Sequence, residues 1–220
     1  MVVDINGQRI KYYDSWDSTT TKQYQGIVGW EPEKELIDRD YFKLFKVLYG
    51  DYKSFAKDNE PKLWELVRWV IDLPFPKLEA PKLLKIRGKY VSIPEDIKLL
   101  SIGQNIHARQ EIDKAIILRN KETGKFIDCD CYSIVVAIFL QPLVDGGEFD
   151  FNKAKELEKE IAEMPITSIR PIGFFLLTDV LKYGTRPEKT WLQILLNQGK
   201  KLKRMLPSWQ RFRGLSHSMT

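Results

Sequence analysis

The chain has 220 residues, 43% of them hydrophobic and 30% charged, with a formal net charge of +5. This balance excludes a disordered chain, and the length allows a substantial buried core. The longest apolar run, positions 134–140, is far too short to span a bilayer, and the N-terminus turns polar after a few residues. The expectation is a soluble protein with no membrane association.

In chain order, Asn6-Gly7 between short apolar runs is a hairpin signal, because both turn positions tolerate positive φ. Trp16, Asp17 and a Ser/Thr cluster follow, which offer N-caps for a short helix that Gly26 or Gly29 ends. Positions 38–49 place Tyr41, Leu44, Phe45 and Leu48 at helical spacing before Gly50. A second helical pattern begins at Pro61 and carries Leu63, Leu66, Val67 and Val70 on one stripe. Pro74, Pro76 and Pro81 then forbid regular helix and predict a stiff connector.

Positions 83–112 organise the rest: an apolar run, a turn at Arg87-Gly88, and an alternating strand through Tyr90, Val91, Ser92 and Ile93 that Pro94 closes. Glu95 and Asp96 place negative charge where a helix start is expected. The Ile-x-Gly frame of this hairpin echoes the one at Asn6-Gly7, and the two hairpins are expected to pair into one small antiparallel sheet. A looser helical pattern covers 102–118, and 119–125 reads as a polar loop. Positions 130–140 are apolar nearly all round and predict a buried helix halted at Gln141-Pro142. Asp145-Gly146-Gly147 is a turn, and 150–163 an amphipathic helix capped by Asp150. A segment starting at 170–173 runs on through 174–182, and a last helix covers about 187–203. The predicted fold is mainly α with a small β part: about seven or eight helices around one or two short β-hairpins. Residues 1–199 are read as a single domain, its two lobes meeting near 73–81, with a basic tail at 200–220.

No phosphate loop, dinucleotide fingerprint, H-E-x-x-H or G-x-S-x-G motif occurs. Cys129 and Cys131 supply two ligands where a structural zinc needs four, so they read as structural thiols in a reducing, intracellular setting. His107 lacks a second histidine or a cysteine in pattern, and the Asp128/Asp130 and Glu31/Glu33 pairs belong to no ligand set. No cofactor, metal or enzymatic activity is expected. The compositional anomaly is the C-terminus. Beyond position 199 there are six basic residues and no acidic one, and without those six the chain is near neutral. Lys200, Lys201, Lys203, Arg204, Trp209, Arg211, Phe212 and Arg213 interleave charge with aromatic area. They are the candidate partner-binding residues, for an acidic protein surface or for nucleic acid.

The order of short motifs resembles a known group. Ser15, Trp16, Asp17 and Thr20 precede a helix, and Leu48, Tyr49 and Gly50 end one. Ile86, Gly88, Lys89, Tyr90 and Pro94 mark the hairpin, followed by Ser-Ile-Gly-Gln-Asn-Ile at 101–106 and Gln141-Pro142. Glu-Phe-Asp-Phe-Asn-Lys-Ala at 148–154, Met164-Pro165 and Gly173, Phe174 and Phe175 complete the set. Across most of residues 1–180 the chain resembles small tailed-bacteriophage proteins of tail and virion morphogenesis, similar to tail-assembly chaperones and baseplate-hub assembly factors. The resemblance implies a non-enzymatic partner of another phage tail or virion protein, acting in the host cytoplasm during assembly or within the particle. It carries over no catalytic residue, and the basic extension after Gly199 lies outside it.

Overall fold

Residues 131–141 are buried without a break, and the other elements are arranged around them. The computed structural model describes residues 2–5, 8–28, 38–50, 65–94 and 101–184. Its elements are β1 (Val2–Ile5), β2 (Gln8–Lys11), a 3-10 turn (Trp16–Ser18), α1 (Thr21–Ile27), α2 (Asp38–Tyr49) and α3 (Trp69–Asp72). They continue with β3 (Leu83–Ile86), β4 (Lys89–Ser92), α4 (Ile102–Lys114), β5 (Ile117–Arg119), β6 (Phe126–Cys129), α5 (Tyr132–Asp145), α6 (Phe151–Ala162) and α7 (Ile166–Gly184). The class is mainly α with a small β part, as expected. Residues through Val180 form one compact unit; those from Leu181 form a second, of which only the end of α7 is described. The predicted domain limit at 199/200 and the helix at 187–203 lie outside the described residues, as do the Asn6-Gly7 turn, Gly29, Pro61 and the 95–100 helix start.

Among the described residues the strands form three separate two-stranded antiparallel sheets, β1–β2, β3–β4 and β5–β6. The expected merger of the first two hairpins into one sheet is therefore wrong. Leu84, Ile86 and Val91 instead turn their face of β3–β4 into the core, where α5 packs against β4. A hairpin gains a second apolar layer as well from a helix as from another hairpin. The Arg87-Gly88 turn is as expected: both residues have positive φ, 50° and 77°, the primed geometry that a two-residue hairpin needs. The polar loop expected at 119–125 is the connection of a third hairpin, with only Arg119 drawn into a strand. Asn120 Oδ1 accepts the backbone N–H groups of Glu122 and Thr123 at 3.0 and 2.8 Å, and Gly124 supplies a φ of 63°. Helix α4 accordingly ends at Lys114, short of the expected 118.

Two helices run through prolines at which they were expected to stop or start. Pro171 sits inside α7, which begins at Ile166. Pro142 sits inside α5, which continues to Asp145. Proline brings no N–H for the carbonyl four residues back, here that of Ile138. The missing donor comes from another helix. Gln104, on α4 and nearly fully buried, donates Nε2–H to Ile138 O at 3.0 Å and to Phe139 O at 3.3 Å. The same side chain closes a capping box with Ser101, accepting Ser101 N–H at 3.0 Å through Oε1. Gly26 likewise lies within α1 rather than at its end, where a Cβ would meet Val47 of α2 at 2.8 Å.

The N-terminal segment is fastened to the α6–α7 junction. Thr21 donates N–H and Oγ1–H to Met164 O at 2.8 and 3.0 Å, and Ile166 donates N–H to Thr19 O. Trp16 is buried, its Nε1–H on Leu73 O at 3.0 Å, and its ring lies edge-on to Tyr24 and Trp69. The proline-rich connector is thus held by its first residues.

Candidate functional site

A largely buried polar cluster is built from four elements around Asp128, at the end of β6. Tyr24 of α1 donates its hydroxyl to Asp128 Oδ2 at 2.5 Å. Arg170 of α7 donates Nε–H and Nη2–H to the same oxygen at 3.2 and 3.0 Å. Asp128 Oδ1 accepts the Cys129 backbone N–H at 2.9 Å. The guanidinium also lies over the Phe75 ring, 4.3 Å from its centroid. Tyr132, at the start of α5, is fully buried beside this group, its hydroxyl without a hydrogen-bond partner among the described residues.

The electrostatics are those of a lock. Burial, and then the Asp128 charge, push the Tyr24 phenol well above its ordinary range. Burial and Asp128 do the same to Tyr132. For Arg170 burial works against the charge, but Tyr24, Asp128 and Tyr132 outweigh it and the net shift is upward. Both phenols therefore stay neutral and the guanidinium stays charged at any physiological pH. Both oxygens of Asp128 are engaged within the cluster. It welds α1, β6 and α7 into one body.

The other singled-out residues resolve the same way. Cys129 and Cys131 face each other with Sγ atoms 3.5 Å apart, both buried, as expected for Cys131. The Cys131 thiol is held far above its usual range, first by its hydrogen bond to Cys129 and then by burial. It is protonated at neutral pH and not a nucleophile. Among the described residues no three His, Cys, Asp or Glu side chains gather into a metal-binding group. His107 stacks on Phe151, centroids 4.1 Å apart, in the manner of a packing residue. Asp150 caps α6, accepting the N–H groups of Asn152 and Lys153 as expected. The predicted partner-binding residues Lys200, Lys201, Lys203, Arg204, Trp209, Arg211, Phe212 and Arg213 lie outside the described residues.

Sequence reasoning missed the union of Asp128 with Arg170, which are 42 positions apart. The available signal was weak: an Arg in an otherwise apolar helical stretch and an Asp entering a buried one each need a partner. No protein-family model, curated protein or solved structure matches this chain. Among the described residues no helix is long and apolar enough to cross a membrane.

Proposed function

We propose that the chain is a non-enzymatic binding protein of tailed-phage morphogenesis, which holds another tail or virion protein as an assembly chaperone or as a component of the particle. The observation that carries this reading is where its motif residues go. Thr20 caps α1 and Trp16 anchors the connector. Gly50 closes α2 with φ 80°, Gly88 makes the hairpin turn, and Ser101 with Gln104 caps α4 and mends α5 at Pro142. Asp150 caps α6, and Gly173 lets the Tyr132 ring lie against α7. Motif residues spent on caps, turns and close contacts support a binding scaffold, whereas an enzyme's motifs converge on one cleft.

The basic, aromatic C-terminus supports a second reading, binding of nucleic acid. Salt dependence separates the two. Fluorescence anisotropy of the full chain with a short labelled DNA duplex should show weak binding at physiological salt. Affinity that is tight at low salt and falls with a log–log slope of about −0.9 per phosphate contacted would favour the nucleic-acid reading. For a protein partner, deleting residues 205–220 should weaken binding while leaving the melting midpoint unchanged, and Trp209→Ala should hurt more than Lys201→Ala.

A further inference from the structure

The geometry points to the exposed edge of β3 as a docking site for an extended acidic segment of a partner protein, added as a third strand. Four observations converge there. First, the hairpin is rigidly seated. Its inner residues are buried, and Arg87 at the tip is clamped to Asp145 of α5 at 2.6 Å and Glu160 of α6 at 2.5 Å.

Second, the edge is bare. Ile93 donates N–H to Lys82 O, so the hydrogen-bonded pairs are Lys82/Ile93, Leu84/Val91 and Ile86/Lys89. The alternate residues Leu83 and Lys85 therefore turn their backbone N–H and C=O away from the hairpin. Among the described residues these groups have no backbone partner: β3 pairs with β4 alone, while α5 lies close to β4.

Third, the outer face is sticky. Tyr90 is 70% exposed and Leu83 56%, and Tyr90 lies directly across from Lys85. Fourth, the unpaired charge is of one sign. Lys82, Lys85 and Lys89 are all exposed, and among the described residues none has a carboxylate within ion-pairing distance, while Arg87 is already satisfied.

A strand pairing with Leu83 and Lys85 would set an apolar side chain beside Leu83 and Tyr90 and an acidic one beside Lys85. Nucleic acid matches less of this surface, since a phosphate backbone has no donor for the outward C=O groups. Edge lysines also serve to repel other strands, and in that case the edge binds nothing.

The proposal rests on the binding-protein reading, but its test needs no phage partner. The full chain, labelled with 15N, is titrated with a blocked heptapeptide, Thr-Glu-Thr-Val-Thr-Glu-Thr, whose valine and glutamates share one face two residues apart. The expected result is saturable shifts of the Leu83 and Lys85 amides and a Kd weakened at least about tenfold by Lys85→Glu or Lys89→Glu. Lys82→Gln should give a smaller loss. A Glu–Pro heptapeptide of equal charge, which cannot form a ladder, should not shift those amides. The proposal fails if β3 does not respond, if the Glu–Pro peptide binds equally well, or if single-stranded oligothymidine competes at the same lysines with higher affinity. Saturable binding here with no virion partner found in infected cells would sink only the phage assignment. Partner capture that survives the lysine reversals would instead place the partner elsewhere on the chain.

Discussion

Gln104 offers the sharpest probe of how this fold is held, because it repairs a defect that the chain creates itself. Gln104→Leu keeps the volume but removes the donor that Pro142 makes necessary, leaving Ile138 O buried and without its bond from Nε2. An unsatisfied buried carbonyl costs ~1–3 kcal/mol. Losing the Gln104 half of the capping box, where Oε1 accepts Ser101 N–H, adds ~0.5–1 kcal/mol. The expected loss is therefore ~2–4 kcal/mol in urea denaturation at constant m-value. Pro142→Ala restores a backbone N–H four residues after Ile138. It should do little in the wild-type background, where the carbonyl is already served, and recover ~1–2 kcal/mol in the Gln104→Leu background. The two substitutions must therefore be non-additive. Additivity within ~0.3 kcal/mol, or a Gln104→Leu loss below ~0.5 kcal/mol, would show that the α4 side chain does not stand in for the missing bond.

Gly173→Ala puts a Cβ 2.5 Å from Cδ1 of the fully buried Tyr132 ring and should cost ~1–3 kcal/mol in thermal melts; Tyr132→Leu in that background should recover part of the loss. Arg170→Met strands the Asp128 charge and should cost ~3–5 kcal/mol, whereas the double variant with Asp128→Asn should be milder than Arg170→Met alone. Glu158 is raised above the usual carboxylate range, chiefly by burial and against a 3.3 Å hydrogen bond from Ser133. A carboxyl raised in the folded state stabilises below its unfolded pKa, and that contribution is lost as pH rises through the folded value. Glu158→Gln should therefore raise the melting midpoint at pH 7, and the advantage should vanish below about pH 4; a constant gap at both pH values contradicts the assignment.

What could be read beforehand was local. The Arg87-Gly88 turn, the Asp150 cap, the stripe Leu44, Phe45 and Leu48 on α2 and the all-round burial of α5 each rest on neighbours in sequence, and each stands in the structure. What failed was decided at long range. Pro142 reads as a helix stop until Gln104, 34 positions from Ile138, supplies the donor. The β5–β6 hairpin was hidden because Ile112 and Ile116 continue the helical spacing of α4, and because its strands are only three and four residues long. Asp128 looked like half of an isolated acidic pair until α7 brought Arg170 to it. Two hairpins with similar turns seemed to call for each other, yet each apolar face could be covered by any nearby surface. Turn chemistry fixes a hairpin but not its neighbour.

The proposal that this chain is a scaffold for a phage structural protein meets its most direct test in affinity capture of the full chain from phage-infected cells. The captured material would be nuclease-treated, washed at about 0.5 M salt and identified by mass spectrometry. The reading predicts a tail or virion protein that survives both treatments: at about 0.5 M salt the attraction to exposed lysines is screened, and the backbone ladder and aromatic anchors hold what remains. Association that disappears with nuclease or with salt, leaving no virion protein, would contradict it.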